Sequence, residues 1–152
     1  MAKRPNVMDK FDFLLGTWNL ESNVPKSAFS EAAKGVGIGT FKRALNDKYV
    51  YFDYSGSLTT GDKAGKEGGA HGIFAWDEKT NILRYWWFES SGTFMEATCN
   101  FVNNDTLFLN WHDTLITQTF TKVSSNKVIL RMEHPVAKEK FELILEVIFT
   151  RK

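Results

Sequence analysis

The chain has a single cysteine, Cys99, among its 152 residues. One thiol closes no intrachain disulfide and makes no cysteine-based zinc site. A chain of 17.4 kDa is large enough to bury a core without such staples. An excess of one charge is also lacking, with 19 Lys and Arg against 18 Asp and Glu. That balance argues against nucleic acid and anionic membrane as partners, because their binders carry a clear basic excess. No window approaches the roughly 20 uninterrupted apolar residues of a membrane helix. Lys3 and Arg4 are followed by no apolar stretch of signal-peptide length before Asp9 and Lys10, so a cytoplasmic location is expected. There is no internal repeat, linker or low-complexity tract, and one domain over residues 1–152 is expected.

Aromatic residues, by contrast, are plentiful: 13 Phe, 5 Trp and 4 Tyr, or 14% of the chain. They fall in short β-rich runs bounded by Asn, Asp, Ser and Gly, the pattern of strands and turns. The runs predict strands at 17–23, 35–43, 48–55, 71–76, 82–89, 93–101, 106–112, 115–123, 127–134 and 141–151. One early segment reads as helical, with Asp9 as N-cap, Met8 and Phe13 as a hydrophobic staple, and Gly16 closing it in a left-handed conformation. It predicts a short plug that carries Phe11, Phe13, Leu14 and Leu15 into a core.

The connections alternate in kind. Those at 44–47, 77–81, 103–105 and 124–126 are short and have hairpin chemistry. Asn104-Asp105-Thr106 also matches the glycosylation acceptor pattern, but it is read as a turn. The alternate set includes 24–34, with room for one or two helical turns at 27–33, the Gly-rich and charged 56–70, and 134–140. If neighbouring strands are antiparallel, one end is sealed by tight turns and the other carries the variable loops. Closure removes the two open sheet edges. The predicted fold is all-β, an up-and-down antiparallel barrel of roughly ten strands with a short N-terminal helical plug, wide enough to hold a small ligand.

The string Phe11-Asp12-Phe13-Leu14-Leu15-Gly16-Thr17-Trp18 resembles the opening of the calycins, which include lipocalins, fatty-acid-binding proteins and nitrobindins. Its nearest resemblance is to a bacterial lipocalin-like family with a Phe-x-x-Leu-Gly-x-Trp opening. The resemblance implies that Trp18 of Gly16-Thr17-Trp18 covers the closed base of the barrel. It also implies an internal Arg facing a ligand carboxylate, for which Arg131 and Arg84 are candidates by strand context. The interval 23–35 is too short for the helical lid of fatty-acid-binding proteins. The last strand has no His of the kind that ligates heme in nitrobindins, so no cofactor is expected.

With Trp18 at the base, all three histidines map to the mouth: His71 opening strand 4, His112 ending strand 7 and His134 ending strand 9. The bland reading is that polar residues end strands near solvent. The sharper one is ligand contact, pH sensing or a shared metal. Ser90, His112 and Asp113 are the residue types of a nucleophilic triad, but no nucleophile elbow accompanies them. The loop 56–72 lacks the Gly-Lys-Ser/Thr ending of a phosphate loop and reads as a mobile loop at the mouth. Charged residues inside strands require partners, and Glu96 or Glu146 could serve Arg84 or Arg131 without any ligand; parity does not settle which way Arg131 faces, and the outward, solvated reading is slightly favoured. Strand 5, from Leu83 to Phe88, is aromatic on both faces, as a cavity wall backed by a homodimer surface would be.

The expected function is binding of a small hydrophobic or amphipathic molecule in the barrel cavity, with His71, Tyr85, Trp87, Glu89, His112, Arg131 and His134 as candidate contacts. No catalytic or metal-ligating residue is assigned. The alternatives are an enzyme for a small hydrophobic or phenolic substrate, with His112 or His134 as general acid or base, and a purely structural protein.

Overall fold

A computed structural model describes residues 7–28, 30–112 and 114–152. Ten antiparallel strands close into a barrel: β1 Gly16–Val24, β2 Ala33–Ala44, β3 Tyr49–Leu58, β4 Glu67–Asp77, β5 Ile82–Glu89, β6 Phe94–Asn103, β7 Thr106–Trp111, β8 Thr117–Ser124, β9 Lys127–Ala137 and β10 Lys140–Arg151. Each strand pairs with its sequence neighbour, and β1 closes on β10 with Trp18 opposite Arg151 and Leu20 opposite Phe149. Period-two patterning sets the register. In β1, Trp18 and Leu20 are buried while Asn19 and Glu21 are exposed, and β7 buries Leu107, Leu109 and Trp111. A slip by one residue would turn each set to solvent.

One end is sealed as expected. The turn after β2 places Leu45, Asn46 and Asp47 at positive φ, and the turn after β4 does the same with Asn81. Between β6 and β7, Asp105 N donates to Asn103 Oδ1 at 2.8 Å, which makes Asn104 part of a tight turn. The N-terminal plug is a 3-10 helix, Val7–Phe13, that starts earlier than expected. Asp9 therefore lies inside the helix and does not cap it; its carboxylate meets Arg43 Nη1 at 2.9 Å. Gly16 adopts φ 116° at the exit, as its position demanded. Trp18 is fully buried and donates from Nε1 to the Leu14 carbonyl at 2.8 Å. Arg151 lies 4.1 Å above the Trp18 ring and donates to the carbonyls of Leu15, at 2.6 Å, and Ser125, at 3.0 Å. Its guanidinium thus ties the segment that leaves the helix to the turn between β8 and β9.

Rings fill the base half of the barrel. Phe41 stacks on Phe52 at 4.1 Å between centroids and Phe74 on Tyr85 at 3.9 Å. Phe11 of the plug packs on Phe74 at 4.7 Å, and edge-on contacts of Phe120 with Phe41 and Phe149 close the layer at 6.0 Å each. Arrangements of this kind contribute beyond the area they bury.

The mouth differs from the sequence reading in three places. The glycines of 56–70 are largely not a loop. Gly56 pairs with Gly68 and Ser55 with Gly69, so β3 and β4 continue upward, and only 59–66 connects them. Glycine has weak strand propensity, but at Gly56 the Tyr54 side chain occupies the space its missing side chain leaves. The segment 59–66 is tied down as well: Leu58 N donates to Lys66 O, and Thr59 N to Lys34 O. Likewise β9 continues to Ala137 and turns through Glu139 at positive φ, which places His134 within a strand and not at its end; a register shift beside Pro135 absorbs its missing N–H. Finally, the described residues of 25–32 form no helix.

Candidate functional site

On β4 the inward positions near the mouth are small: Gly68, Ala70 and Gly72. Their neighbours across the ladder are large. Tyr54 on β3 and Glu89 on β5 flank Ala70, and Phe52 and Trp87 flank Gly72. Two strand spacings of about 4.8 Å separate β3 from β5, leaving a trough over the backbone of β4. Tyr54 leans away from that trough. A Cβ at Gly37 would meet its Cε2 at 2.8 Å, and one at Gly56 would collide with its hydroxyl. The result is a cleft at the mouth with two adjoining lobes of about 480 and 410 Å³, which share Tyr54, Lys66, Glu67, Gly68 and Glu89.

Glu89 is the anchored polar group of this cleft. Trp87 Nε1 donates to its Oε1 at 3.1 Å and Ser91 Oγ to its Oε2 at 3.2 Å. The hairpin that presents it is closed by Glu89 N to Thr93 O and Gly92 N to Glu89 O, each 2.9 Å, with Gly92 at φ 93°. Ser90 is fixed against β4, receiving Gly69 N on its Oγ at 3.1 Å and donating its own N–H to Gly69 O at 2.8 Å. Burial raises the Tyr54 phenol above its ordinary range, so Tyr54 stays neutral across physiological pH. Burial pushes Tyr85 well above its usual value and likewise raises the Cys99 thiol.

The predicted residues are distributed unevenly around this geometry. Trp87 and Glu89 line the cleft. Tyr85 faces the same way but lies deeper, stacked on Phe74 with its hydroxyl against the backbone of Gly72, where a Cβ would collide with it. His71 faces outward, exposed and bonded through Nδ1 to Asp53. Its parity follows from the burial of Ala70, Gly72 and Phe74 on the alternate positions of β4. Arg131 also lies outside, with Nη1 3.5 Å from Glu146 and Nε 3.7 Å from Glu133. Arg84 is satisfied by Asp77 at 3.1 Å and Glu96 at 3.2 Å. Both arginines therefore have carboxylate partners from the protein itself. His112 is exposed on the turn after β7, its N–H donating to Glu96 O at 3.0 Å. His134 shares the inward parity of Val128, Leu130 and Met132, on strands away from the cleft. No group of three or more metal-ligating side chains forms among the described residues. Of the triad-type residues, Ser90 is on the cleft and His112 is not among its lining residues, while Asp113 falls outside the described residues.

Tyr54, Gly68, Lys66 and Ser22 were not anticipated at the site. The available signal was the row of small residues at every second position, Gly35, Gly37 and Gly39 on β2 and Gly68, Ala70 and Gly72 on β4. Such alternation marks ladder positions, whereas a loop has no reason to place small residues with period two.

No family model matches the chain, and no curated protein matches it in sequence. Solved structures do match its fold. The Rv2717c protein of M. tuberculosis superposes with a TM-score of 0.64 at 9% identity, covering 99% of each chain. The S-type phycobiliprotein lyase CPES of Guillardia theta gives 0.56 at 11% identity, with 98% of this chain and 94% of the lyase covered. A redesigned β-barrel, mFAP0, bound to DFHBI gives 0.51 at 11% identity, with 91% of this chain and 99% of that chain covered. At these identities the likeness establishes the closed barrel. No helix among the described residues is long and apolar enough to cross a membrane.

Proposed function

We propose that the protein binds a small apolar or amphipathic molecule at the mouth of its barrel, in the cytoplasm. The observation that carries this reading is the trough over Gly68 and Ala70, walled by Tyr54 and Trp87 and edged by the anchored carboxylate of Glu89. Tyr54 and Trp87 give the cleft aromatic surface and Glu89 and Ser90 give it fixed polar groups, a combination that suits a small amphipathic molecule. The base half, filled with rings, lends rigidity and contributes no volume. Among barrels of similar fold, one structure is of a lyase for phycobiliproteins and another holds DFHBI, which agrees with ligand binding in this architecture.

The test is native mass spectrometry of the purified protein, followed by titration of the released small molecules while Trp fluorescence is monitored. A retained ligand that quenches the wild type and binds Trp87→Ala at least tenfold more weakly supports the reading. Absence of any retained mass, with no quenching by a library of apolar and amphipathic compounds, overturns it. Enzymatic turnover is the second reading, and it has less geometric support because His112 and His134 are not among the residues lining the cleft. A homodimer through the outer face of β5 and β6 also belongs to this proposal. Phe88 and Phe94 lie there 6.3 Å apart, with Phe94 74% exposed. Sedimentation velocity on the wild type and on Phe94→Ser reads it directly, and a wild-type monomer at high concentration removes it.

A further inference from the structure

Four inward glycines of this barrel, Gly37, Gly39, Gly56 and Gly72, lie against rings, while Gly35 packs on Ser22, Ser57 and Leu58. At Gly39 an added Cβ would sit 2.5 Å from Phe52 Cε2, and at Gly72 it would run into the Tyr85 ring. At Gly37 and Gly56 it would run into Tyr54. These glycines are seats for rings, and the protein's own rings occupy them. Gly68 continues the inward row of β4 above Gly72 and Ala70, yet its nearest neighbour to a Cβ would be Ser90 Oγ at 3.9 Å. It is a seat of the same construction that no side chain of the protein fills, and it lines both lobes of the cleft.

From this we infer that the ligand class is a planar aromatic ring carrying an N–H or ammonium donor, seated flat on the β4 backbone at Gly68 between Tyr54 and Trp87 and donating to Glu89. The inference rests on the binding reading above and narrows it. Backbone without a Cβ admits a flat ring at contact distance, as the Phe52, Tyr54 and Tyr85 seats already demonstrate, whereas a kinked alkyl chain gains little from it. Tyr54, level with Ala70, and Trp87, level with Gly72, line the same cleft, and aromatic side chains attract a cation or an aromatic edge. Glu89 determines the polarity of the partner. Its two oxygens each accept one neutral donor, from Trp87 and Ser91, which leaves accepting capacity on both. No described Lys, Arg or His lies within ion-pair distance of it. Lys63 and Lys66 border the cleft too, but each is a hydrated charge on a flexible stem, and Glu67 adjoins Lys66. The fixed carboxylate, not the mobile ammonium, sets specificity.

The experiment uses three probes on the full chain, read by Trp fluorescence and calorimetry: 2-naphthylmethylammonium, 2-naphthoate and decanoate. The naphthyl ammonium is expected to bind at least about tenfold tighter than the naphthoate, the difference a charge-assisted hydrogen bond supports. Glu89→Gln should remove that preference while both naphthyl probes still bind. Gly68→Val should weaken both by more than tenfold, because its methyls fill the seat; the site has ordinary φ and open space, so the variant should fold, with its melting curve as the check. Equal or tighter binding of naphthoate, or unchanged affinity in Gly68→Val, overturns the assignment. If decanoate binds and neither naphthyl probe does, the ligand class falls while the mouth remains a binding site. If none of the three binds and the purified protein retains no small molecule, both readings fall.

Discussion

The two halves of the barrel are built from the same ten strands and contain opposite things. Toward the base, the inward rows hold Trp18, Phe41, Phe74, Phe120 and Phe149, all essentially inaccessible, beneath a plug that seals the end. Toward the mouth, the same rows on β2 and β4 hold Gly35, Gly37, Gly68 and Ala70, and their neighbours are polar or half-buried. The difference lies in the volume each row supplies, since strand length and pairing are shared. Close packing at one end provides stability, and withheld volume at the other leaves room for a ligand. The barrel therefore combines a close-packed base with a mouth that withholds volume.

The sharpest way to break this comparison is at Trp18. Trp18→Ala removes a fully buried indole, its hydrogen bond to Leu14 O and the platform beneath Arg151. A loss of about 3–5 kcal/mol is expected, a large part of a typical domain's stability, measured as a fall in the denaturation midpoint. Any fraction that remains folded should bind mouth ligands with unchanged affinity. The glycine rows provide a paired test. Gly72→Val forces a side chain into the Tyr85 ring and should destabilise by about 1–3 kcal/mol or more. Gly68→Val, two residues up the same strand, should melt within about 0.5 kcal/mol of the wild type. Equal destabilisation by both would mean that the mouth is packed as tightly as the base.

Alkaline pH separates the halves next. Cys99 and Tyr85 are buried on the base side, and burial raises the pKa of each. Both stay protonated when folded but ionise at their ordinary values when unfolded, so the unfolded state releases protons that the native state keeps. Stability should thus decline as pH rises through the ordinary thiol value of 9.0, and further above the ordinary phenol value of 10.0. The slope approaches about 1.4 kcal/mol per pH unit for each group. Chemical denaturation at several pH values measures it, and native Cys99 should resist alkylation throughout. The smallest effect is expected at the rim. Glu89 is exposed and its bonds are to neutral donors, so Glu89→Gln should change stability by no more than about 0.5 kcal/mol. A larger loss would show that the carboxylate holds the hairpin and is not reserved for a ligand.

The base was more legible than the mouth, for a physical reason. Period-two burial of bulky residues is a strong signal, and β1 and β7 show it plainly. The turns announced themselves through Asn, Asp and Ser, and Gly16 through its place between helix and strand. The bounds of β5 were legible, but rings on both of its faces left its parity open, and only the β4–β5 register turns Trp87 and Glu89 to the cleft. The mouth is written in glycine, which carries no hydropathy and the same symbol in a loop as in a ladder. Misreading 56–70 as a loop hid the trough and placed His71 at a strand end, when four further residues of β4 precede it. Arg131 shows a second limit. Its parity left the facing open, and only the closed barrel turns it outward while the β9–β10 register brings Glu146 beside it.

By itself, then, the sequence determined the class of fold, the number and order of strands, the sealed end and the plug that fills it. Local patterning suffices for these, because alternation and turn chemistry act between residues close in the chain. Only the tertiary structure decided which side chains share a space. Tyr54, Gly68 and Glu89 lie far apart in sequence and meet because the β3–β4 and β4–β5 registers set them in adjoining rows. A glycine becomes a ring seat or an open floor according to what the neighbouring strand projects over it, and that depends on pairing between strands, which no residue type encodes alone.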